Sequence, residues 1–147
     1  MFHKIFLVFM ATVTPISELR GGIPLAITIG FNPALAFFGI VVLNIALFFP
    51  ITILLNFFHD KYLSKWDIYQ KYITNLRSRG KPYVDRYGML GLALFVAIPL
   101  PASGVYSGTI LSWLIGMSWQ KGFLSISLGA AIAGLIVLFL SHSLFGR

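Results

Sequence analysis

The 147-residue chain has no cysteine, which excludes disulfide scaffolds, thiolate nucleophiles and Cys-based zinc sites. Histidine is scarce, and His3, His59 and His142 lie too far apart for metal-ligand spacing, so no metal or other cofactor is expected. Charge is also scarce: charged residues make up 10% of the chain and hydrophobic ones 58%, with a mean hydropathy of +0.88. A water-soluble domain does not carry that balance. Acids are the rarest charges, four against eleven Lys and Arg, for a net charge of +7. In a soluble protein such an excess would point to nucleic acid. Here its placement points to membrane topology, and no nucleic-acid partner is expected. The chain contains no phosphate-loop motif and no Ser/His arrangement at depth, and Glu18 has no second carboxylate near it in sequence, so no enzyme is expected.

What is present is apolar sequence in two blocks. Residues 21–58 and 88–120 pass without an acidic or basic side chain, His included, and runs of that length belong in a bilayer. Offsetting the first half by 86 positions over Phe9 to Leu54 gives 11 identities in 46, among them Phe9/Phe95, Pro15/Pro101, Ser17/Ser103, Gly22/Gly108 and Gly30/Gly116. An internal repeat explains why Pro, Ser and Gly recur at matched breaks. Each half reads as a short apolar run, a break at Pro15 and Pro24 or at Pro99 and Pro101, a second short run and one long run. The short runs, Phe2 to Thr14 and Ile23 to Phe31, reach only about half of a ~30 Å hydrocarbon core at ~1.5 Å per residue. The expected fold is therefore an all-α polytopic membrane protein of two inverted repeats, each a re-entrant helical hairpin followed by one long transmembrane helix. The first repeat is 1–58, with hairpin 2–31 and a transmembrane helix 33–58 that Pro50 kinks. The second is 89–147, with hairpin 89–116 and transmembrane helix 118–145.

Between the repeats, residues 59–88 hold seven basic residues and three acids. The positive-inside rule places this loop in the cytoplasm and both termini outside, in a multi-pass protein of the inner membrane. The amino end has a signal-like apolar run but no convincing cleavage site, and it reads as mature structure. Within the loop Tyr62, Trp66, Tyr69, Ile73 and Leu76 recur at helical spacing, with Lys61, Lys65, Lys71 and Arg77 off that stripe. That is the pattern of an interfacial amphipathic helix, either a plain anchor or a collector of anionic headgroups.

Chemistry concentrates in the two breaks. Glu18 is the one acid outside the loop, two residues from Arg20, and intramembrane ionisable groups are rarely kept without a partner or a task. Either the two close the turn as an ion pair, or Glu18 accepts a proton, with burial and Arg20 pulling its ionisation in opposite directions. In the second case Arg20 meets an anionic substrate when Glu18 is neutral. Pro24 suits the first turn of one half-helix and Ser107 the cap of the other, which would aim two helix amino termini at the midplane in an anion-binding geometry. Gly21, Gly22, Gly104 and Gly108 allow close approach, and Ser17, Ser103 and Tyr106 can donate hydrogen bonds; the competing role for these small residues is hairpin packing. Asn44, Thr52 and Asn56 read as interhelical hydrogen-bonding groups.

The segment Pro15-Ile-Ser-Glu-Leu-Arg-Gly-Gly-Ile-Pro24 resembles the first signature of the putative small multidrug export protein family, and Pro99-Leu-Pro-Ala-Ser-Gly-Val-Tyr-Ser-Gly108 resembles its second. The resemblance covers essentially the whole chain. That family is similar to the DedA, or SNARE-associated Golgi protein, superfamily, and the likeness implies paired re-entrant hairpins, proton-linked lipid translocation and an essential role for the acid matched by Glu18. The chain departs from DedA proteins in carrying no charge between Ala97 and Gly116. Three functions stay open: proton-coupled flipping of an anionic amphipathic lipid such as a polyprenyl phosphate or phospholipid, export of cationic amphipathic drugs, and a non-transporting membrane-shaping scaffold. With two full crossings there is little protein to shield polar hairpin tips, so a homodimer surrounded by membrane lipid is expected.

Overall fold

The computed structural model describes residues 1–59, 61–62, 65–98 and 103–145, and among these every regular element is helical. Pro99 and Pro101, expected as hairpin breaks, lie outside the described residues. The helices are α1 (Phe2–Val13), α2 (Glu18–Thr28), α3 (Pro33–Ala46), α4 (Phe48–Phe58), α5 (Asp67–Tyr87), α6 (Met89–Ala97), α7 (Val105–Leu114) and α8 (Trp119–Phe145).

Two stretches are long and apolar enough to cross a bilayer, Pro33–Phe58 and Trp119–Phe145. Only 33% and 39% of their most apolar windows are buried, so neither is the core helix of a water-soluble domain. Phe38, Val42, Ile53, Phe57, Leu135 and Phe139 face outward, and an apolar surface of that extent belongs in hydrocarbon. The first stretch is interrupted at Leu47, whose N–H bonds back to the Asn44 carbonyl at 3.2 Å in a tightened turn between α3 and α4. Pro50 accounts for the interruption, because it brings no N–H for the Ala46 carbonyl and its ring crowds that carbonyl.

The helix ends recur 86 positions apart. α2 ends at Thr28 and α7 at Leu114, and each is closed by the same turn: Phe31 N–H to the Ala26 carbonyl at 2.9 Å with Gly30 N–H to Ile27 at 3.1 Å, and Met117 N–H to Ser112 at 3.0 Å with Gly116 N–H to Trp113 at 3.1 Å. Gly30 and Gly116 take φ of +92° and +70°, the left-handed cap conformation that glycine adopts without a Cβ penalty. α3 and α8 then start 86 positions apart, at Pro33 and Trp119.

α8 is the central post and packs on α2, α3, α6 and α7. In hydrocarbon, close contact replaces the hydrophobic effect as the force between helices. Its glycines supply that contact: a Cβ on Gly129 would lie 2.6 Å from the Ala93 carbonyl oxygen, and one on Gly134 would lie 2.7 Å from Val41. α5 forms the expected amphipathic helix, burying Ile73, Leu76 and Gly80 against α6 and α7 while Lys71 and Arg77 stay exposed. The helix starts later than the aromatic stripe suggests. Tyr62 and Trp66 precede it and are exposed, and the stripe continues instead through Gly80 to the half-buried Val84.

Candidate functional site

The two breaks meet. Glu18 opens α2 and is 6% exposed, with one carboxylate oxygen accepting the Val105 N–H at 3.1 Å and the other the Tyr106 N–H at 3.2 Å. These are the first two amides of α7, which have no intrahelical partner. Gly104, the residue before α7, must be small for this contact, since a Cβ there would come within 2.2 Å of the Glu18 carboxylate. Glu18 has φ +47°, the one positive φ outside glycine among the described residues, a conformation that costs a side-chain-bearing residue about 1–3 kcal/mol and is tolerated where its surroundings enforce it.

Arg20 lies in the same turn of α2 and reaches the other side of the second break. One of its terminal nitrogens donates to the Ile98 carbonyl and to Ser103 Oγ, both at 3.1 Å, and Ser103 Oγ donates to the same carbonyl at 2.7 Å. Ile98 closes the carboxyl end of α6. The two charges of α2 are thus divided between two dipole ends, the carboxylate on the positive amino end of α7 and the guanidinium on the negative carboxyl end of α6, each the favourable pairing. Tyr106 returns the contact by donating its hydroxyl to the Val13 carbonyl at the end of α1. Apart from the local Ser103 to Ile98 bond, each of these hydrogen bonds joins residues at least 78 positions apart.

Several sequence expectations change on this geometry. α2 begins at Glu18 rather than Ile23, so Glu18, Arg20, Gly21 and Gly22 are helical and Pro24 is interior instead of in the first turn. Ser17 holds the cap position of α2 without a side-chain cap bond. Ser107 is the third residue of α7 and hydrogen-bonds the Tyr72 hydroxyl of α5 at 2.9 Å. The capping expected from Ser107 is done by Glu18, whose charge is the stronger acceptor. Gly22 and Gly108 are packing positions: a Cβ on the first would lie 2.3 Å from Thr12 Oγ1, and one on the second 2.5 Å from Val96. A Cβ on Gly21 would meet only Ser17 of its own turn.

Of the expected lipid-interface residues, Lys61, Lys65, Trp66, Lys71 and Arg77 are exposed. Tyr69 turns inward and bonds His59 Nδ1 at 3.0 Å, the His59 ring lying edge-on to Trp113 at 4.5 Å. Asn56 accepts from the Trp113 indole at 2.7 Å, and Asn44, fully buried, reaches the Thr12 carbonyl at 3.5 Å. Both therefore tie helices together as expected, while Thr52 bonds the Phe48 carbonyl of its own helix. Sequence reasoning missed the partners that carry no side-chain signal, the Ile98 and Val13 carbonyls and the Val105 amide, and it missed Tyr72. Among the described residues no group of acids and histidines could hold a metal ion.

The sequence model of the family described as putative small multi-drug export protein matches residues 18–136, from Glu18 of the site to the middle of α8. No curated protein and no solved structure matches the chain.

Proposed function

Because the chain belongs to the family of putative small multi-drug export proteins, we propose that it is a membrane transporter in which protonation of Glu18 is exchanged against binding of an amphipathic anion, a lipid phosphate foremost. The observation that carries this reading is the Glu18 carboxylate resting on the first two amides of α7, with Arg20 beside it on the end of α6. A helix amino terminus is an anion site, and here the chain's own carboxylate fills it. A proton on Glu18 removes the charge and weakens both N–H bonds. The freed amides and Arg20 then offer a phosphate the interactions that Glu18 and the Ile98 carbonyl held. Losing the Glu18 contact also releases the strain at φ +47°, so α1–α2 and α6–α7 can shift against each other.

The finer architecture belongs to the same proposal. The recurrence of helix ends 86 positions apart supports two repeats of DedA-like type, with α1–α2 and α6–α7 as re-entrant hairpins inverted about the bilayer midplane. The basic loop then lies in the cytoplasm and the termini outside, and a homodimer shields the hairpin tips. Export of cationic amphipathic drugs is the second reading, favoured by the family description; in it Glu18 holds the cation itself.

The test is translocation of a fluorescent lipid phosphate and of a cationic dye in proteoliposomes, with and without a pH gradient. The anion reading expects gradient-dependent movement of the lipid phosphate that is lost in Glu18→Gln and reduced further by Arg20→Ala than dye movement is. Dye movement alone, abolished by Glu18→Gln, would replace it with the cation reading. Movement of neither probe by folded protein would remove both and leave a membrane-shaping scaffold.

A further inference from the structure

Away from the Glu18 site, α1, α2 and α3 leave an open groove of about 360 Å³ between them, lined by Ile5, Val8, Thr12, Phe31, Ala36 and Gly39 among others. Thr12 Oγ1 is turned back onto the Val8 carbonyl at 2.8 Å, so the wall is apolar along its length. From Ile5 to Thr12 it follows two turns of α1, about 10 Å at ~1.5 Å per residue. Gly39 is exposed, and a Cβ built there meets nothing within 4 Å. This glycine is not needed for helix contact, unlike Gly22, Gly108 or Gly134. Its effect is to leave the groove open.

The groove flanks α3, part of the Pro33–Phe58 stretch that is long enough to span, so its surroundings are hydrocarbon. Lipid tails are as apolar as leucine, and a tail alone would gain little preference for this site. Preference comes from its end. Lys4 precedes Ile5 on α1, is exposed, and bonds the Ile29 carbonyl of α2 at 3.3 Å, two residues before Phe31. An ammonium has three donors, so one bond to Ile29 leaves donors for a phosphate. We propose that this groove binds an anionic phospholipid, with an acyl chain along Val8, Ala36 and Gly39 and the headgroup phosphate at Lys4. The site is independent of the transport reading, because occupancy requires neither translocation nor an ionised Glu18.

The experiment reconstitutes the full chain in phosphatidylcholine vesicles with a trace of phosphatidylglycerol bearing a photoactivatable diazirine on one acyl chain, and maps the adducts by peptide mass spectrometry. Label concentrated on the groove residues Ile5, Val8, Ala36 and Gly39 is expected, competed about fivefold better by phosphatidylglycerol than by phosphatidylcholine for one lysine near the surface. Gly39→Leu, whose Cβ would meet nothing within 4 Å, projects its side chain into the groove and is expected to remove that label while leaving labelling of the outward-facing Phe38 and Val42. Lys4→Gln is expected to keep the label and erase the headgroup preference. Label spread evenly over Phe38, Val42 and the groove, indifference to Gly39→Leu, or equal competition by the two lipids would overturn the proposal. So would groove labelling that appears only when the chain is diluted to monomer in the vesicles, which would assign the groove to a second copy. Glu18→Gln is expected to leave the labelling unchanged, so a failure of transport and a failure of this site are read separately.

Discussion

At the scale of single residues, the site depends on the absence of a methyl group at Gly104 and on one carboxylate. Gly104→Ala places its Cβ against the Glu18 carboxylate, and over-packing of this kind costs about 1–3 kcal/mol. The expected outcome is a lowered thermal unfolding midpoint in detergent, together with transport loss similar to that of Glu18→Gln. Glu18→Gln keeps one acceptor oxygen but points an amide at the other α7 N–H, and a hydrogen bond to a charged group is worth about 1.5–3 kcal/mol. Arg20→Lys tests geometry rather than charge. Lysine keeps the cation near the α6 carboxyl end but is shorter and has fewer donors than the guanidinium, one terminal nitrogen of which serves both the Ile98 carbonyl and Ser103, so it is expected to recover only part of the stability lost in Arg20→Ala, as read by the same unfolding measurement.

At the scale of elements, the matched caps give a paired test. Gly30 and Gly116 both have positive φ and nothing within 4 Å of a built Cβ, so alanine at either site meets conformational cost alone. That cost is about 1–2 kcal/mol in the left-handed region, and Gly30→Ala and Gly116→Ala are expected to lower the unfolding midpoint equally. The interruption at Leu47 is a second element-scale feature. Pro50→Ala returns an N–H to the Ala46 carbonyl and is expected to straighten the junction of α3 and α4. Spin labels at the exposed positions 35 and 57 should then move apart, as read by dipolar electron resonance. An unchanged distance would mean that packing of the buried Phe48, edge-on to Phe123 with 5.6 Å between ring centroids, holds the junction of α3 and α4 without proline.

At the scale of the whole molecule, α5 is fastened to the helix pair that carries the site. Leu76 is buried beneath it, and Tyr72 reaches Ser107, two residues beyond Val105. Leu76→Ala, at about 2–5 kcal/mol for a large-to-small core change, is expected to loosen α5 and make the Ser107 region accessible to hydrogen exchange. Topology is testable with unusual clarity because the chain has no cysteine. Single cysteines at position 68, 85% exposed on α5, and at position 2, on α1, are expected to react with an impermeant maleimide from opposite sides of the membrane. Reaction from one side would remove the inverted arrangement and leave the helix packing around α8 intact.

How much was legible in the sequence follows from what each signal measures. Hydropathy and break residues report local preference, so the all-helical character, the two stretches long and apolar enough to span, an interruption near Pro50 and the amphipathic α5 could be read from the residues alone. The repeat register also placed Gly30 opposite Gly116, since both answer the same local demand at a helix end. The start of α2 was misjudged by five residues because Gly21, Gly22 and Pro24 read as breakers, whereas packing against α1 and α8 kept Glu18–Thr28 helical. Glu18 and Arg20 stood out by sequence as charges in an apolar setting, and their nearness suggested each other as partners. Only the tertiary structure decided that they reach separate helix ends some eighty residues away. A backbone amide or carbonyl is present at every position and leaves no compositional trace; which of them meets a charge is settled by how the helices cross.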